Sequence, residues 1–163
     1  MSTAPAGQRR EYTVNAVRLY DAPRERVFAA WTRAEHLAHW FGPRGFTIHS
    51  CEADARTGGL FRLCMRSPDG RDYWVRGSFR EVAAPGRVVI HCFADDARGV
   101  QRLEEVITVG LADEDGKTRL TLHATAAGAG PEAASMLAGM EQGWSETLDR
   151  LRERSRSING IHD

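Results

Sequence analysis

Apolar and polar positions change period several times along the chain. Residues 11–20, EYTVNAVRLY, are rich in β-formers and read as a strand. From Asp21 the spacing becomes helical, with Val27, Phe28 and Trp31 followed by Leu37 and Trp40. Asp21 can serve as an N-cap with Pro23 in the first turn, and two short helices joined near residues 32–34 fit this stretch better than one long one. Between residues 46 and 126 come FTIHSCEAD, LFRLCMR, DYWVRGSFREV, RVVIHCF, QRLEEVITVGL and KTRLTLHATA, separated by Gly-, Pro- and Asp-rich turns. These read as strands whose connections are too short for parallel crossovers, so sequential neighbours should pair antiparallel. Residues 131–156 close the pattern as a long helix, with Pro131 and Glu132 in its first turn and Leu137, Met140, Trp144, Leu148 and Leu151 as its apolar stripe.

This order predicts an α+β fold, a curved seven-stranded antiparallel sheet with two short helices after the first strand and a long C-terminal helix across it. A helix of about 25 residues is near 37 Å long by its rise. One stripe of its side chains cannot fill a twisted sheet that curls around it, so an internal cavity is expected. Residues 1–10 read as a disordered tail, 11–156 as a single domain and 157–163 as a frayed tail.

Composition narrows the function classes. Acidic and basic residues balance at 22 each, which argues against nucleic acid as a partner. Lys117 is the only lysine, and the arginines are scattered rather than clustered, as a coding bias of the source genome would leave them. No apolar run approaches the ~20 residues of a membrane span and the N-terminus lacks a secretory segment, so a cytoplasmic protein is expected. Cys51, Cys64 and Cys92 lie in strand-like segments without C-x-x-C spacing and read as free, mostly buried thiols. Phosphate-loop, dinucleotide, zinc-protease and nucleophile-elbow motifs are absent, and neither a cofactor nor a metal is expected.

Several residues carry candidate chemistry. His36 and His39 are three apart on a helix without a carboxylate continuing their face, and read as surface histidines. His91 and His123 sit within apolar strands. Alternation groups His91 with Val89 and Phe93, making His91 the more promising polar handle for a cavity. Phe61, Leu63 and Met65 should face inward, opposite Arg62 and Arg66. Trp74 and Arg76 share one face of their strand and Val75, Gly77 and Phe79 the other; which set is inward stays open. Gly139 and Gly143, four apart on the long helix, suggest close helix-to-strand packing, or else room for a ligand beneath Met136, Met140 and Trp144.

LYDAPRERVFAAWTRAEHLAHWFGP, DARTGG, SPDG, RGSFREVAAPGRVV, GKTRLTL and MEQGWSETLDRL, in this order and spacing, resemble the family of activator of heat-shock-protein-90 ATPase-like domains, within the START-like or SRPBCC superfamily. The resemblance covers about residues 11–153 and implies the helix-grip fold. It carries over Ala22, Pro23, Val27, Phe28 and Trp31 to the first helix, Trp40, Gly42 and Pro43 to the end of the small helices, Asp54, Arg56, Gly58 and Gly59 to a turn, and Gly143 and Trp144 to the last helix. Asp54 and Arg56 are expected to be a structural pair at that turn. With no room before residue 11 for the extra domain of the eukaryotic activator, chaperone regulation is not the first expectation. That expectation is a small apolar or amphipathic ligand bound by Trp40, Phe41, Phe61, Met65, Trp74, Arg76, His91, Phe93, Met136, Met140 and Trp144. A cyclase- or hydrolase-type cavity enzyme, a protein-binding module and a homodimer are the alternatives. Of the two aromatics before Gly42, Trp40 should pack beneath the helices and Phe41 should border the cavity.

Overall fold

The computed structural model describes residues 8–158. Strand β1 (Arg9–Tyr20) opens the sheet and pairs along its whole length with β7 (Lys117–Ala129). The helices α1 (Arg24–Thr32) and α2 (Ala34–Trp40) then carry the chain to the far edge, where β2 (Thr47–Ala53) begins. From there β3 (Leu60–Arg66), β4 (Asp72–Ala83), β5 (Arg87–Asp95) and β6 (Gln101–Glu114) return as a meander to β7. All neighbours are antiparallel, in the order β1-β7-β6-β5-β4-β3-β2. The helices α3 (Pro131–Ala138) and α4 (Met140–Ile158) complete the helix-grip arrangement.

Three boundaries differ from the sequence reading. Pro23, rather than Asp21, occupies the N-cap of α1, with an extended backbone at φ −66° and ψ 151°. The single helix over residues 131–156 is two, broken at Gly139. There the N–H bonds to Met136 O at 3.2 Å, a tightened turn that the missing side chain and wide backbone freedom of glycine permit. β1 begins at Arg9 and α4 runs through Ile158, so the expected tails reach into regular structure at both ends; residues 1–7 and 159–163 lie outside the described residues. Among the described residues no helix is long and apolar enough to cross a membrane.

Alternation along the strands sorts side chains between two faces. Toward the helices point Val14 and Tyr20 of β1, Phe61 and Leu63 of β3, Val75 and Phe79 of β4, Val88, Ile90 and Cys92 of β5, Leu103, Ile107 and Val109 of β6, and Leu120, Leu122 and Ala124 of β7, all buried. Val27, Trp31, Leu37 and Trp40 cover this face from α1 and α2, and Leu148 and Leu151 cover it from α4. Gly42 and Pro43 stop α2, and Gly42 adopts φ +100°, a left-handed conformation that glycine tolerates without strain. The turn before β3 holds the expected surface pair, Arg56 Nε to Asp54 Oδ2 at 2.7 Å, both residues exposed.

At Gly77, β4 crosses so close to β5 that a Cβ would overlap the carbonyl oxygen of His91 and come within 2.6 Å of Cys92 Cα. Gly110, in β6, has open space where its Cβ would stand. Gly77→Ala is therefore expected to cost about 3 kcal/mol, whereas Gly110→Ala should stay within about 0.5 kcal/mol of the parent. Urea unfolding of the two variants side by side checks this, and equal stabilities would contradict the close approach.

Candidate functional site

The turn at Gly139 and the side-chain-free position Gly143 lie where α3 and α4 face the sheet. Between helices and sheet lies a pocket of about 320 Å³, bounded by Phe41, Gly42, Pro43 and Phe46 after α2, Met65, Tyr73 and Val75 on β3 and β4, and Leu103 and Glu105 on β6. Met136, Gly139, Met140, Gly143, Trp144 and Thr147 form its helical side. A Cβ on Gly139 would meet nothing nearer than 3.7 Å, and one on Gly143 nothing nearer than Pro43 Cγ at 3.8 Å. These glycines are thus not sites of tight helix-to-strand packing, the first of the two readings. They leave space.

Phe41, Met65, Met136, Met140 and Trp144 line this pocket together. Trp40 does not: it is fully buried one layer behind, its Nε1 donating to Ala30 O at 3.0 Å and its ring set edge-on to Trp31 at 4.7 Å. Phe61 is likewise behind the wall, packed edge-on against Phe41 at 5.8 Å and Phe79 at 5.6 Å. The aromatic contacts continue from Phe41 to Trp144 at 6.1 Å and from Trp144 to Trp31 at 6.3 Å, so one cluster joins both small helices, β3 and α4.

His91 and Phe93 are on the opposite face, which corrects their placement in the cavity. In β5 the buried inward set is Val88, Ile90 and Cys92, leaving Val89, His91 and Phe93 outward. His91 Nε2 meets Glu104 Oε2 at 2.7 Å and its ring lies beside that of Phe93. Val75 is the inward residue of β4, so Trp74 and Arg76 also face away. The Arg62 guanidinium covers the Trp74 ring at 4.2 Å, and Trp74 also borders the pocket, beside inward Tyr73 and Val75. Arg76 donates two hydrogen bonds to Asp95, at 3.0 and 3.2 Å, and one to Gln101. His36, read as a surface residue, is buried against α4, with Arg154 Nη2 2.8 Å from its Nδ1. His39 is exposed. Cys64 and Cys92 are buried free thiols and Cys51 is half-buried.

Glu105 is the functional group that the sequence reading missed. It sits on β6 between inward Leu103 and Ile107, opposite Cys92 on β5 and Ala126 on β7. Its Oε2 accepts a hydrogen bond from Trp144 Nε1 at 3.3 Å, and the surface it keeps accessible faces the pocket. Burial pushes its carboxyl up to about 7, and the Trp144 bond only partly offsets this. Its neighbour Glu104, on the outer face, shifts the opposite way: His91 and then Arg9 hold it below the usual carboxylate range. A signal for Glu105 was available. Leu103, Ile107, Val109 and Leu111 alternate at period two and place residue 105 in the same inward row.

The sign of the stability effect follows from the direction of the shift. A carboxyl raised in the folded state favours folding while protonated, and that contribution is lost as pH climbs from its ordinary 4.5 through about 7. Glu105→Gln keeps the shape and removes the titration. The variant is therefore expected to gain stability over the parent between pH 4 and pH 8, by up to about 3 kcal/mol. Denaturant unfolding across that range measures it, and a difference independent of pH would contradict the buried position.

The chain's relatives agree with this architecture. It is similar to the solution structure of a protein from Arthrobacter aurescens, at 24% identity over 89% of this chain and 86% of that one, with a TM-score of 0.73. A protein from Chromobacterium violaceum matches at 24% identity over 87% of this chain and 96% of that one, with a TM-score of 0.70. The AHSA1 protein from Silicibacter pomeroyi matches at 21% identity over 93% of this chain and all, 100%, of that one, with a TM-score of 0.73. No curated protein matches the chain significantly. The family model for Activator of Hsp90 ATPase homolog 1-like protein matches residues 21–155, and the chain belongs to that family.

Proposed function

We propose that this protein binds a small, largely apolar molecule, without a cofactor, in the pocket between β3–β6 and the α3–α4 break. The observation that carries this reading is the space itself. At about 320 Å³ it falls at the lower end of the range typical of small-molecule sites, and its wall is mainly aromatic, aliphatic and thioether surface. Gly139 and Gly143 support it further. Gly143, inside α4, costs helix stability relative to alanine by roughly 1 kcal/mol and does not repay it in close packing, and Gly139 forms the turn between the two helices with no close neighbour either. Met65, Met136 and Met140 add flexible, polarizable contacts suited to guests of varied shape.

This reading is preferred to a cyclase or hydrolase acting through His91 or Arg76. Both side chains are engaged on the outer face, His91 with Glu104 and Arg76 with Asp95 and Gln101. The same positions leave the affinity of the pocket to buried apolar area rather than to a converging pair of basic groups.

N-phenyl-1-naphthylamine, a probe that brightens in apolar surroundings, tests the proposal directly. The parent protein is expected to bind it saturably with one site per chain. Gly143→Leu, which projects a side chain into the pocket from a helical position, should weaken that binding by about tenfold or more while the helix gains propensity. Non-saturable binding, or an affinity unchanged in a folded Gly143→Leu variant, would count against the pocket as the site.

A further inference from the structure

Glu105 is out of keeping with the wall it belongs to. Among the described residues its only hydrogen bond comes from Trp144 Nε1, at 3.3 Å to Oε2, and no basic side chain pairs with it. The other carboxylate on the wall, Asp95, is already held by Arg76 at 3.0 and 3.2 Å. Among the described residues the Oε1 atom of Glu105 accepts no hydrogen bond, and the residue lines the pocket. It lies in a row whose cross-strand neighbours, Cys92 and Ala126, cannot neutralise a charge.

From this juxtaposition we infer that the pocket takes apolar ligands that carry a protonated amine, and that Glu105 receives the amine. The inference rests on the pocket being a ligand site. A carboxylate in hydrocarbon surroundings is costly unless a cation meets it, and a cation in the same surroundings is costly unless a carboxylate meets it. Each removes the penalty of the other. A hydroxyl would supply a hydrogen bond but leave the charge uncompensated, and an anionic ligand would add a second negative charge. Trp144 and Phe41, edge to face at 6.1 Å, border the same space and present aromatic surface to a cation.

Few other groups could mimic a titration at this point. Cys92, opposite Glu105 on β5, has its thiol raised well above the ordinary value by burial and stays neutral. Asp95 is paired with Arg76, Tyr73 contributes a phenol from β4, and α3 and α4 present Ser135, Met136, Met140, Trp144 and Thr147, none of them charged.

The test uses four probes of one bicyclic body: 2-methylnaphthalene, 2-naphthylmethanol, 2-naphthylmethylamine and 2-naphthoate. Tryptophan fluorescence reads their binding to the parent protein and to Glu105→Gln. The amine is expected to bind the parent about tenfold or more tightly than 2-methylnaphthalene, with naphthoate weakest, and in Glu105→Gln the ratio of amine to hydrocarbon affinity is expected to fall to about one. In the parent, amine affinity should also rise about tenfold from pH 6 to pH 8 as the carboxyl ionises, a measurement that needs no variant. Equal binding of amine and hydrocarbon, or an amine preference that survives Glu105→Gln, would overturn the role of Glu105 and leave the pocket reading standing. Binding of none of the four would overturn both.

Discussion

Tyr20 and Arg150 clamp α4 over the sheet. Tyr20, the last residue of β1, donates its buried hydroxyl to Leu148 O at 2.9 Å. Arg150 reaches from α4 to the carbonyls of Gly42 and Pro43, both at 2.9 Å, and of His39 at 3.3 Å. Those carbonyls lie where α2 ends and the chain turns, so one guanidinium supplies donors that the broken helix cannot. With Leu148 and Leu151 buried beside these two attachments, this part of α4 has little freedom to lift. The N-terminal end of the helix meets the sheet through side chains only, Tyr12 of β1 donating to Glu141 Oε1 at 2.9 Å and Trp144 Nε1 to Glu105 Oε2 at 3.3 Å, while the turn at Gly139 and the bare position at Gly143 border the pocket. The pocket lies under the first half of α4, where Gly139 and Gly143 carry no side chain into it.

The same clamp explains the two aromatics that precede the Gly-Pro break. Trp40 ends α2 inside the core, tied to Ala30 and Trp31, while Phe41, one residue later and in an extended conformation, turns to face Trp144 and the pocket. Apolar surface is needed on both sides of the break because the segment has core beneath it and the cavity beside it. Trp144 joins the two regions, packing on Trp31 and Phe41 with its ring while its N–H reaches Glu105. A polar contact inside the pocket is thereby fixed by the aromatic cluster that holds the helices together.

Adjacent glutamates on β6 show how far local alternation sets chemistry. Glu104 lies among His91, Arg9 and solvent on the outer face; Glu105 lies between Cys92 and Ala126 beneath Trp144. One step along a strand reverses the direction in which the carboxyl is shifted, because it exchanges cations and water for hydrocarbon. Histidine followed the same rule in β5. Ile90 and Cys92 took the inward positions there, so His91 faced outward to a hydrogen-bond partner, Glu104.

Sequence by itself determined the order of strands and helices, the antiparallel pairing, the helix-grip arrangement and the inward set on β3, because period and turn chemistry are properties of consecutive residues. Phe41, Met65, Met136, Met140 and Trp144 were legible for the same reason, as apolar side chains on faces that had to be buried. The face of β5 was not. Val89 and Phe93 are as apolar as Ile90 and Cys92, so alternation offers two equivalent registers, and only pairing with β4 and β6 chooses between them. The break at Gly139 was likewise beyond local reading, since a glycine in a helical pattern becomes a turn only when the surrounding packing permits it. Tertiary structure also decided the role of Glu105. A carboxylate beside another in sequence looks solvated, and it becomes an acid without a basic partner at the wall of a pocket only once a sheet, a helix and an aromatic cluster have come together around it.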